Sequence, residues 1–211
     1  MIDIKPGETI QELGSATCSF FTIFGYTYLL LIRGGKVMEF EFLYAIPRTE
    51  VLDTFFLTIN KITGSYGQLW VIIAVILLLF KKTRKIGIAV LVSYVLVFVL
   101  GQYGLKNMFS RMRPCQIDET FELLVSRPSS SSFPSTHSAW AFGGAVAIFL
   151  GNKKGGVIAL IWAALIAFSR MYLFLHFPTD VLAGIVFGVL MGVVATKLVE
   201  IISKKISAGK E

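Results

Sequence analysis

The sequence predicts an all-α integral membrane protein, a six-helix bundle with a short interfacial amphipathic helix, forming one domain over residues 1–211. Of its residues 55% are hydrophobic and 16% are charged, whereas soluble domains carry about 25% charged residues. The mean hydropathy is +0.73, and six apolar stretches approach the length of about 20 residues that a membrane-spanning helix needs. An aromatic content of 13% excludes a disordered chain, and two cysteines are too few for a disulfide scaffold.

The six predicted spans are residues 13–32, 67–80, 86–105, 138–150, 156–175 and 181–202. The first span is the most polar, and we expect it to be retained because the residues before it lack the pattern of a cleavable signal peptide. The second span is slightly short and can start earlier, around Thr63. Cys18 lies in the first span and Cys115 follows the third, so we expect them on opposite sides of the membrane without a disulfide.

Apolar residues recur at helical spacing between the first two spans, from Val51 to Ile62, with polar residues between them. This pattern predicts an amphipathic helix that lies in the membrane interface. A helix that packs over the mouth of the bundle fits the pattern equally well.

Glycines recur every fourth residue along the sixth span, at Gly184, Gly188 and Gly192. This spacing lines one helix face with small residues and allows another helix to approach closely. We expect packing within the bundle, and a homodimer through these glycines is the second interpretation.

The net charge of +7 follows the predicted topology. Half of the twenty Lys and Arg residues lie in the connections 81–85 and 152–154 and in the tail after residue 196. By the positive-inside rule, these segments and both termini are cytoplasmic, in a multi-pass protein of the plasma (inner) membrane. The connections after spans one, three and five then face outward. Membrane topology therefore accounts for much of the positive charge, and we do not expect nucleic acid as a partner.

The polar residues that do not suit a membrane span form three clusters on the outward side. The first contains Lys106, Ser110, Arg111, Arg113 and Pro114. If the third helix continues, Lys106 and Arg113 are two turns apart on one face, and Pro114 ends or redirects the helix. A basic collar that snorkels to the interface is the structural alternative, but such a collar is expected on the cytoplasmic side.

The second cluster is Phe133-Pro134-Ser135-Thr136-His137, at the start of the fourth span. Its hydroxyl side chains suit a helix cap, and the free N–H groups of a helix start can bind an anion. Capping alone is the simpler interpretation.

The third cluster contains Ser169, Arg170, His176, Pro178 and Asp180. Pro178 suits the first turn of the sixth span. A carboxylate four residues after His176 can fix the tautomer of the imidazole. The pair can be purely structural, but both histidines of the chain fall at this one mouth of the bundle.

Together the clusters predict a phosphate site. Three basic side chains with N–H donors bind an anion that carries several oxygens, and phosphate fits best. A histidine held by Asp180 can attack phosphorus, and the other can protonate the departing oxygen and later deprotonate water. Two histidines and one aspartate are too few for a metal centre, so we expect neither a metal nor another cofactor.

The residues resemble the three motifs of the type-2 phosphatidic acid phosphatases, integral membrane lipid phosphatases that include undecaprenyl-diphosphatases. The matches are Lys106 with Arg113-Pro114, then Pro134-Ser135-Thr136-His137, then Ser169-Arg170 with His176 and Asp180. All three stand in order and with the expected internal spacing, over residues 106–180. One departure is Thr136, where the family usually has glycine, and its side chain can narrow the anion pocket or add a hydroxyl donor.

The resemblance implies a metal-independent phosphatase that acts on lipid phosphates or diphosphates at the extracytoplasmic face, among membrane lipids. It makes His176 the nucleophile that forms a phosphohistidine, Asp180 its support and His137 the acid for the leaving group. The phosphate would be held by Lys106, Arg113, Ser135, Thr136 and Arg170. Undecaprenyl diphosphate is the favoured substrate, with phosphatidylglycerophosphate and a lipid A phosphate as alternatives.

Three other functions share some of these sequence features. An anion transporter would use the cluster for binding only, but the sequence shows no internal repeat and the cluster lies at span ends. A phosphotransferase would keep the covalent step and pass the phosphoryl group to another lipid, which the sequence leaves open. Vanadium-dependent haloperoxidases share the motifs, but they are soluble.

Overall fold

The structure, a computed structural model, describes residues 38–208. The chain divides into two compact units, residues 1–41 and 42–211, and the second contains nearly all described residues. The predicted first span and Cys18 lie outside the described residues. Residues 42–208 contain helices and no strand, which confirms the all-α class.

A bent pair of helices occupies the region of the predicted amphipathic helix and second span. Helix α1 is Glu50–Thr63 and helix α2 is Gln68–Leu79. They are bent by 55° relative to each other. The turn between them places Gly64 and Gly67 at φ of 75° and 69°, a region that glycine enters without steric cost.

The apolar face of α1 packs against the bundle. Phe56 and Ile59 are buried, and the ring of Phe56 lies 4.4 Å from that of Tyr172 and 5.4 Å from that of Phe168. The predicted helix is therefore present, and its buried face matches the alternative of a helix packed on the bundle. By length and composition, α1 and α2 together can cross a membrane as one broken span.

The third predicted span consists of α3 (Arg84–Leu96) and a π-helix (Val97–Leu105). The segment after it carries the first cluster and contains α4 (Lys106–Phe109) and α5 (Pro114–Ile117). Ser110 adopts the left-handed conformation, with φ of 42°, and ends α4. The condition that one helix continues from Lys106 to Arg113 is therefore not met, because the chain turns between them.

Three further helices complete the bundle: α6 (Thr136–Gly151), α7 (Lys153–Tyr172) and α8 (Pro178–Ala208). They confirm the last three apolar stretches to within a few residues, except for the longer end of α8. Helix α6 is the centre, since it packs most extensively against α7 and α8. Among residues 38–208, three helical stretches can span a membrane by length and composition, or four with the bent pair. The total of six spans stays a prediction.

The glycine stripe of α8 packs inside the bundle. A Cβ added at Gly184 or Gly188 would stand 2.3 Å from the carbonyl oxygen of Ser135 or Ala139, and one at Gly192 would stand 2.6 Å from Gly143 O. These glycines are therefore covered by α6 of the same chain. The structure does not support a homodimer through this stripe, because contacts with α6 already occupy its glycines.

The basic connections lie together at one end of the bundle. Gly151, at the end of α6, is close to Ile86 of α3, and Lys85 lines a shallow surface groove with Lys204. The opposite end holds the starts of α6 and α8 and the end of α7. The three predicted clusters lie at that end.

Candidate active site

The three clusters meet around one polar cavity of about 370 Å³. Six of the eight predicted site residues line it, namely Lys106, Arg113, Thr136, His137, Arg170 and His176. The other two, Ser135 and Asp180, are fully buried behind its wall. The close contact of α8 with α6 brings the second and third clusters to the same cavity.

Three cations determine the charge of the cavity. Lys106, Arg113 and Arg170 are 6%, 4% and 2% exposed, and no carboxylate is among the described residues that line the cavity. Removing a cation from water is costly unless an anion compensates it. The cavity is therefore suited to an anion with several negative charges.

Arg113 is positioned by the serine-rich loop that precedes α6. Its Nε donates to Ser130 O at 2.8 Å, and its Nη2 donates to Ser130 Oγ at 3.0 Å. Its Nη1 donates to Leu175 O at 3.0 Å and lies 2.9 Å from His176 Nε2. Sequence reasoning missed Ser130, because this residue precedes the second cluster and belongs to no motif.

Arg170 is held by the residue before it. Its Nε and Nη2 donate to Ser169 Oγ at 3.1 and 2.9 Å, and the Ser169 hydroxyl donates to Ile166 O at 2.6 Å. Both residues are in the last turns of α7 and are buried. Ser169 therefore fixes one edge of the Arg170 guanidinium at the end of α7 that faces the cavity.

The start of α6 is capped as the sequence predicts. Ser135 is the N-cap; its Oγ accepts hydrogen bonds from Ser138 N at 3.5 Å and Ser138 Oγ at 3.0 Å, and its N–H donates to Asp180 O at 3.0 Å. Thr136 Oγ1 donates to Gln102 Oε1 in the π-helix at 3.3 Å. The threonine at the usual glycine position is thus tied to the π-helix while it still lines the cavity. Phosphate binding by Ser135 and Thr136 stays a prediction.

His137 is oriented by the turn between α1 and α2. Its Nε2 lies 3.2 Å from the carbonyl oxygen of Gly64. Because a carbonyl only accepts, Nε2 carries the hydrogen of this bond. The other ring nitrogen, Nδ1, is then the one that can exchange a proton with a ligand. Sequence reasoning missed Gly64, because a glycine in a turn shows no partner in its spacing.

His176 lies just before α8 and is 2% exposed. Burial lowers the pKa of its imidazole well below the usual 6.5, and the guanidinium of Arg113 lowers it further. Since the guanidinium only donates, the Nε2 that faces it carries the lone pair. The geometry thus presents a neutral imidazole with its lone pair on Nε2, which accepts the hydrogen bond from Arg113.

Asp180 is close to His176 but not directly bonded to it. Its Oδ2 lies 3.8 Å from His176 Nδ1, which is too long for a hydrogen bond. The same oxygen accepts from Ser132 Oγ at 2.5 Å and from Phe177 N at 2.9 Å. Its Oδ1 accepts from Arg111 at 2.7 Å. Sequence reasoning assigned no role to Ser132, and it placed Arg111 in the first cluster without a function.

Among residues 38–208 no group of three His, Cys, Asp or Glu side chains could hold a metal ion. Cys115 is a free, buried cysteine. The cavity instead offers cationic donors and two imidazoles.

Comparison with known proteins places these motifs in a family. The model of the PAP2 superfamily matches residues 82–203. Over 128 residues the chain is 36% identical to an undecaprenyl-diphosphatase of Sulfolobus acidocaldarius, covering 59% of this chain and 62% of the relative. It is 31% identical to the bacitracin transport permease protein BcrC of Bacillus licheniformis, covering 52% of this chain and 53% of the relative. The chain thus spans about half to three fifths of these relatives.

Two solved structures share the fold. LpxE of Aquifex aeolicus matches with a TM-score of 0.58 and 30% identity, over 71% of this chain and 88% of that one. A PAP2-type phosphatidylglycerolphosphate phosphatase of Bacillus subtilis matches with a TM-score of 0.61 and 26% identity, over 88% and 94%. All three motifs fall inside the range that the family model matches. The chain belongs to the PAP2 superfamily.

Proposed function

We propose that this protein is a metal-independent phosphatase that removes phosphate from lipid phosphates or diphosphates. The observation that carries the proposal is the cavity itself, in which three buried cations and two imidazoles surround about 370 Å³. That volume accommodates a phosphate group and excludes the bulk of a lipid. Relatives named as an undecaprenyl-diphosphatase and as a lipid A 4'-phosphatase of Bacteroides thetaiotaomicron support the same class of reaction.

The reaction proceeds in two displacements at phosphorus. The lone pair of His176 Nε2 attacks phosphorus, a P–N bond forms, and the P–O bond to the lipid breaks. His137, protonated at Nδ1, gives that proton to the departing oxygen. In the second step His137 takes a proton from water, the water oxygen attacks phosphorus, and the P–N bond breaks to release inorganic phosphate. Lys106, Arg113 and Arg170 stabilise the charge on the non-bridging oxygens in both steps.

A diphosphate lipid of the undecaprenyl type is the favoured substrate, ahead of phosphatidylglycerophosphate. A second polar cavity of about 650 Å³ adjoins the first and shares five lining residues with it: Tyr66, Gln102, Lys106, Ser129 and Ser130. Asn107 and Gln116 add polar side chains there. This cavity gives room for the second phosphate of a diphosphate, with Lys106 between the two groups.

The site faces the extracytoplasmic side. The cavity is at the end of the bundle opposite to Lys85 and Lys204. Basic connections of this kind are retained in the cytoplasm by the positive-inside rule. The substrates are therefore lipids exposed in the outer leaflet.

The test is phosphate release by the purified protein in detergent with excess chelator. The panel contains undecaprenyl diphosphate, phosphatidylglycerophosphate, phosphatidic acid and lipid A, and His176→Ala is run beside the wild type. We expect release that survives chelation and falls by about a thousandfold or more in the variant, which still binds phosphate.

Three results would contradict the proposal. Release that chelator abolishes would assign the chemistry to a metal ion. Release that persists in His176→Ala would remove the nucleophile. Release that requires an added acceptor lipid would make the protein a phosphotransferase.

A further inference from the structure

A serine hydroxyl lies between the imidazole of His176 and the carboxylate of Asp180. Ser132 is fully buried, and its Oγ is 3.3 Å from His176 Nδ1 and 2.5 Å from Asp180 Oδ2. A hydroxyl donates one hydrogen bond and can accept others, whereas a carboxylate only accepts. The serine therefore donates to Asp180 and accepts from the Nδ1–H of His176.

The contact of Arg113 on the other side of the imidazole ring also places the proton of His176 on Nδ1. Arg113 Nη1 lies 2.9 Å from His176 Nε2, and a guanidinium has no acceptor. Nε2 is therefore unprotonated, and a neutral imidazole then carries its hydrogen on Nδ1. That hydrogen is directed at Ser132, which accepts it through its hydroxyl oxygen and its backbone carbonyl.

Asp180 is itself fixed, so Ser132 has a rigid partner. Arg111 Nη1 donates to Asp180 Oδ1 and to Thr179 Oγ1, both at 2.7 Å. The Arg111 guanidinium lies 4.4 Å from the centroid of the Phe177 ring. The backbone N–H of Ser132 donates to Arg111 O at 2.7 Å. These contacts connect the loop before α6 to the first turn of α8.

We propose that Ser132 is a positioning residue, whose hydroxyl relays the fixed orientation of Asp180 to His176 and keeps Nε2 directed at the phosphate. The direct contact of histidine and aspartate that the sequence suggests is here replaced by a contact through serine. The effect on turnover rests on the proposed function. The hydrogen-bond chain can be measured without any substrate.

The first experiment determines the tautomer of His176 by NMR of protein labelled with 15N-histidine. The chain has two histidines, so only His137 and His176 give imidazole signals, and a His137→Gln variant assigns them. We expect His176 in the Nδ1–H form in both proteins, because Arg113 still faces Nε2. In Ser132→Ala we expect a changed 15N chemical shift of His176 Nδ1, because the hydroxyl that accepts its hydrogen bond is lost. The signals of His137 serve as the internal control and should not change.

The second experiment measures turnover of the same variants. We expect Ser132→Ala to lower kcat by about tenfold or more with KM within about threefold, as for loss of a hydrogen bond to a charged group. Ser132→Thr, which keeps the hydroxyl, should recover most of the loss. Thr63→Val is the matched control, because it removes a buried hydroxyl that donates only to Ile59 O within α1.

An unchanged 15N shift of His176 Nδ1 in Ser132→Ala overturns the proposal, whatever happens to kcat. So does a kcat within about twofold of wild type. If His137 also shifts, the alanine variant is misfolded, and the Nδ1 shift and kcat of Ser132→Cys then decide by the same criteria. If the wild type hydrolyses no lipid while the Nδ1 shift depends on Ser132, the proposed function fails and the hydrogen-bond chain stands.

Discussion

His176 is buried beside cations, and this environment sets the pH range in which it can act. Burial and the charge of Arg113 lower the pKa of its imidazole well below 6.5. The unfolded chain therefore takes up a proton at this residue before the folded protein does. The contribution of His176 to stability is complete above about pH 6.5 and is lost as the pH falls towards the folded-state pKa.

We predict that His176 remains neutral at pH 6.5 in the folded, substrate-free protein, where an exposed histidine would be half protonated. The measurement is a pH titration of the two 15N-histidine imidazoles, with the His137→Gln variant for assignment. Protonation of His176 with a midpoint at or above pH 6.5 would show that the cations do not act on it as described. It would also remove the neutral nucleophile from the proposed mechanism.

The sequence predicted the side chains that line the cavity better than the residues that hold them. Lys106, Arg113 and His176 stand in motifs whose residue types are unusual near a membrane span, so composition alone draws attention to them. Ser132 and the carbonyl of Gly64 act through contacts that only the tertiary fold creates. Serine and glycine are ordinary in loops, and nothing in their spacing indicates a partner.

At the scale of the helices, the site depends on how closely α8 approaches α6. Gly188 lies against the backbone of Ala139, where an added Cβ would stand 2.3 Å from the carbonyl oxygen. Backbone cannot move aside as a flexible side chain can, so the helices must separate. Their separation would displace the start of α6, where Ser135 N bonds to Asp180 O.

We predict that Gly188→Ala lowers the free energy of unfolding by about 1–3 kcal/mol, as overpacking does in cores. The measurement is thermal unfolding in detergent. Gly155→Ala is the matched control, because its Cβ would meet only ordinary contacts at 3.6 Å or more, and alanine stabilises a helix relative to glycine. Equal melting temperatures for Gly188→Ala and the wild type would contradict the packing described.

Helical periodicity does not predict the structure of the chain between Val97 and Pro114. Apolar residues continue through the π-helix without a break in pattern, so the sequence indicates a single span. The chain turns at Ser110 because this residue adopts the left-handed conformation. A serine in the sequence does not predict that conformation. As a result Arg113 enters the cavity from a loop, and its distance from Lys106 could not be obtained from helix geometry.

On the scale of the whole molecule, hydropathy predicted the all-α bundle because the apolar excess leaves few other folds. Hydropathy did not predict the bend between α1 and α2. Because α1 is amphipathic, the sequence indicates a separate interfacial helix before the second span. Together the two helices are long and apolar enough to cross a membrane as one broken span. The turn between them lies beside His137, and its carbonyl at Gly64 contacts the imidazole.

The distribution of charge leads to a prediction about sidedness. Both native cysteines are replaced by alanine, and single cysteines are introduced at Glu119 or at Lys82, both exposed. Because Lys82 lies in a basic connection and Glu119 follows the cavity-lining segment, the positive-inside rule places them on opposite sides. We expect a membrane-impermeant maleimide to label Glu119→Cys in intact cells and Lys82→Cys only after lysis.

Retained phosphate release by the cysteine-free protein is the control that the fold is intact. The reverse labelling pattern would place the cavity at the cytoplasmic face and direct the search for substrates to lipids of the inner leaflet. Labelling of both positions in intact cells would mean that the cells are leaky, which an unmodified cytoplasmic marker protein excludes. With the expected pattern, the same basic connections that orient the bundle also place the phosphate cavity where lipid phosphates of the outer leaflet can reach it.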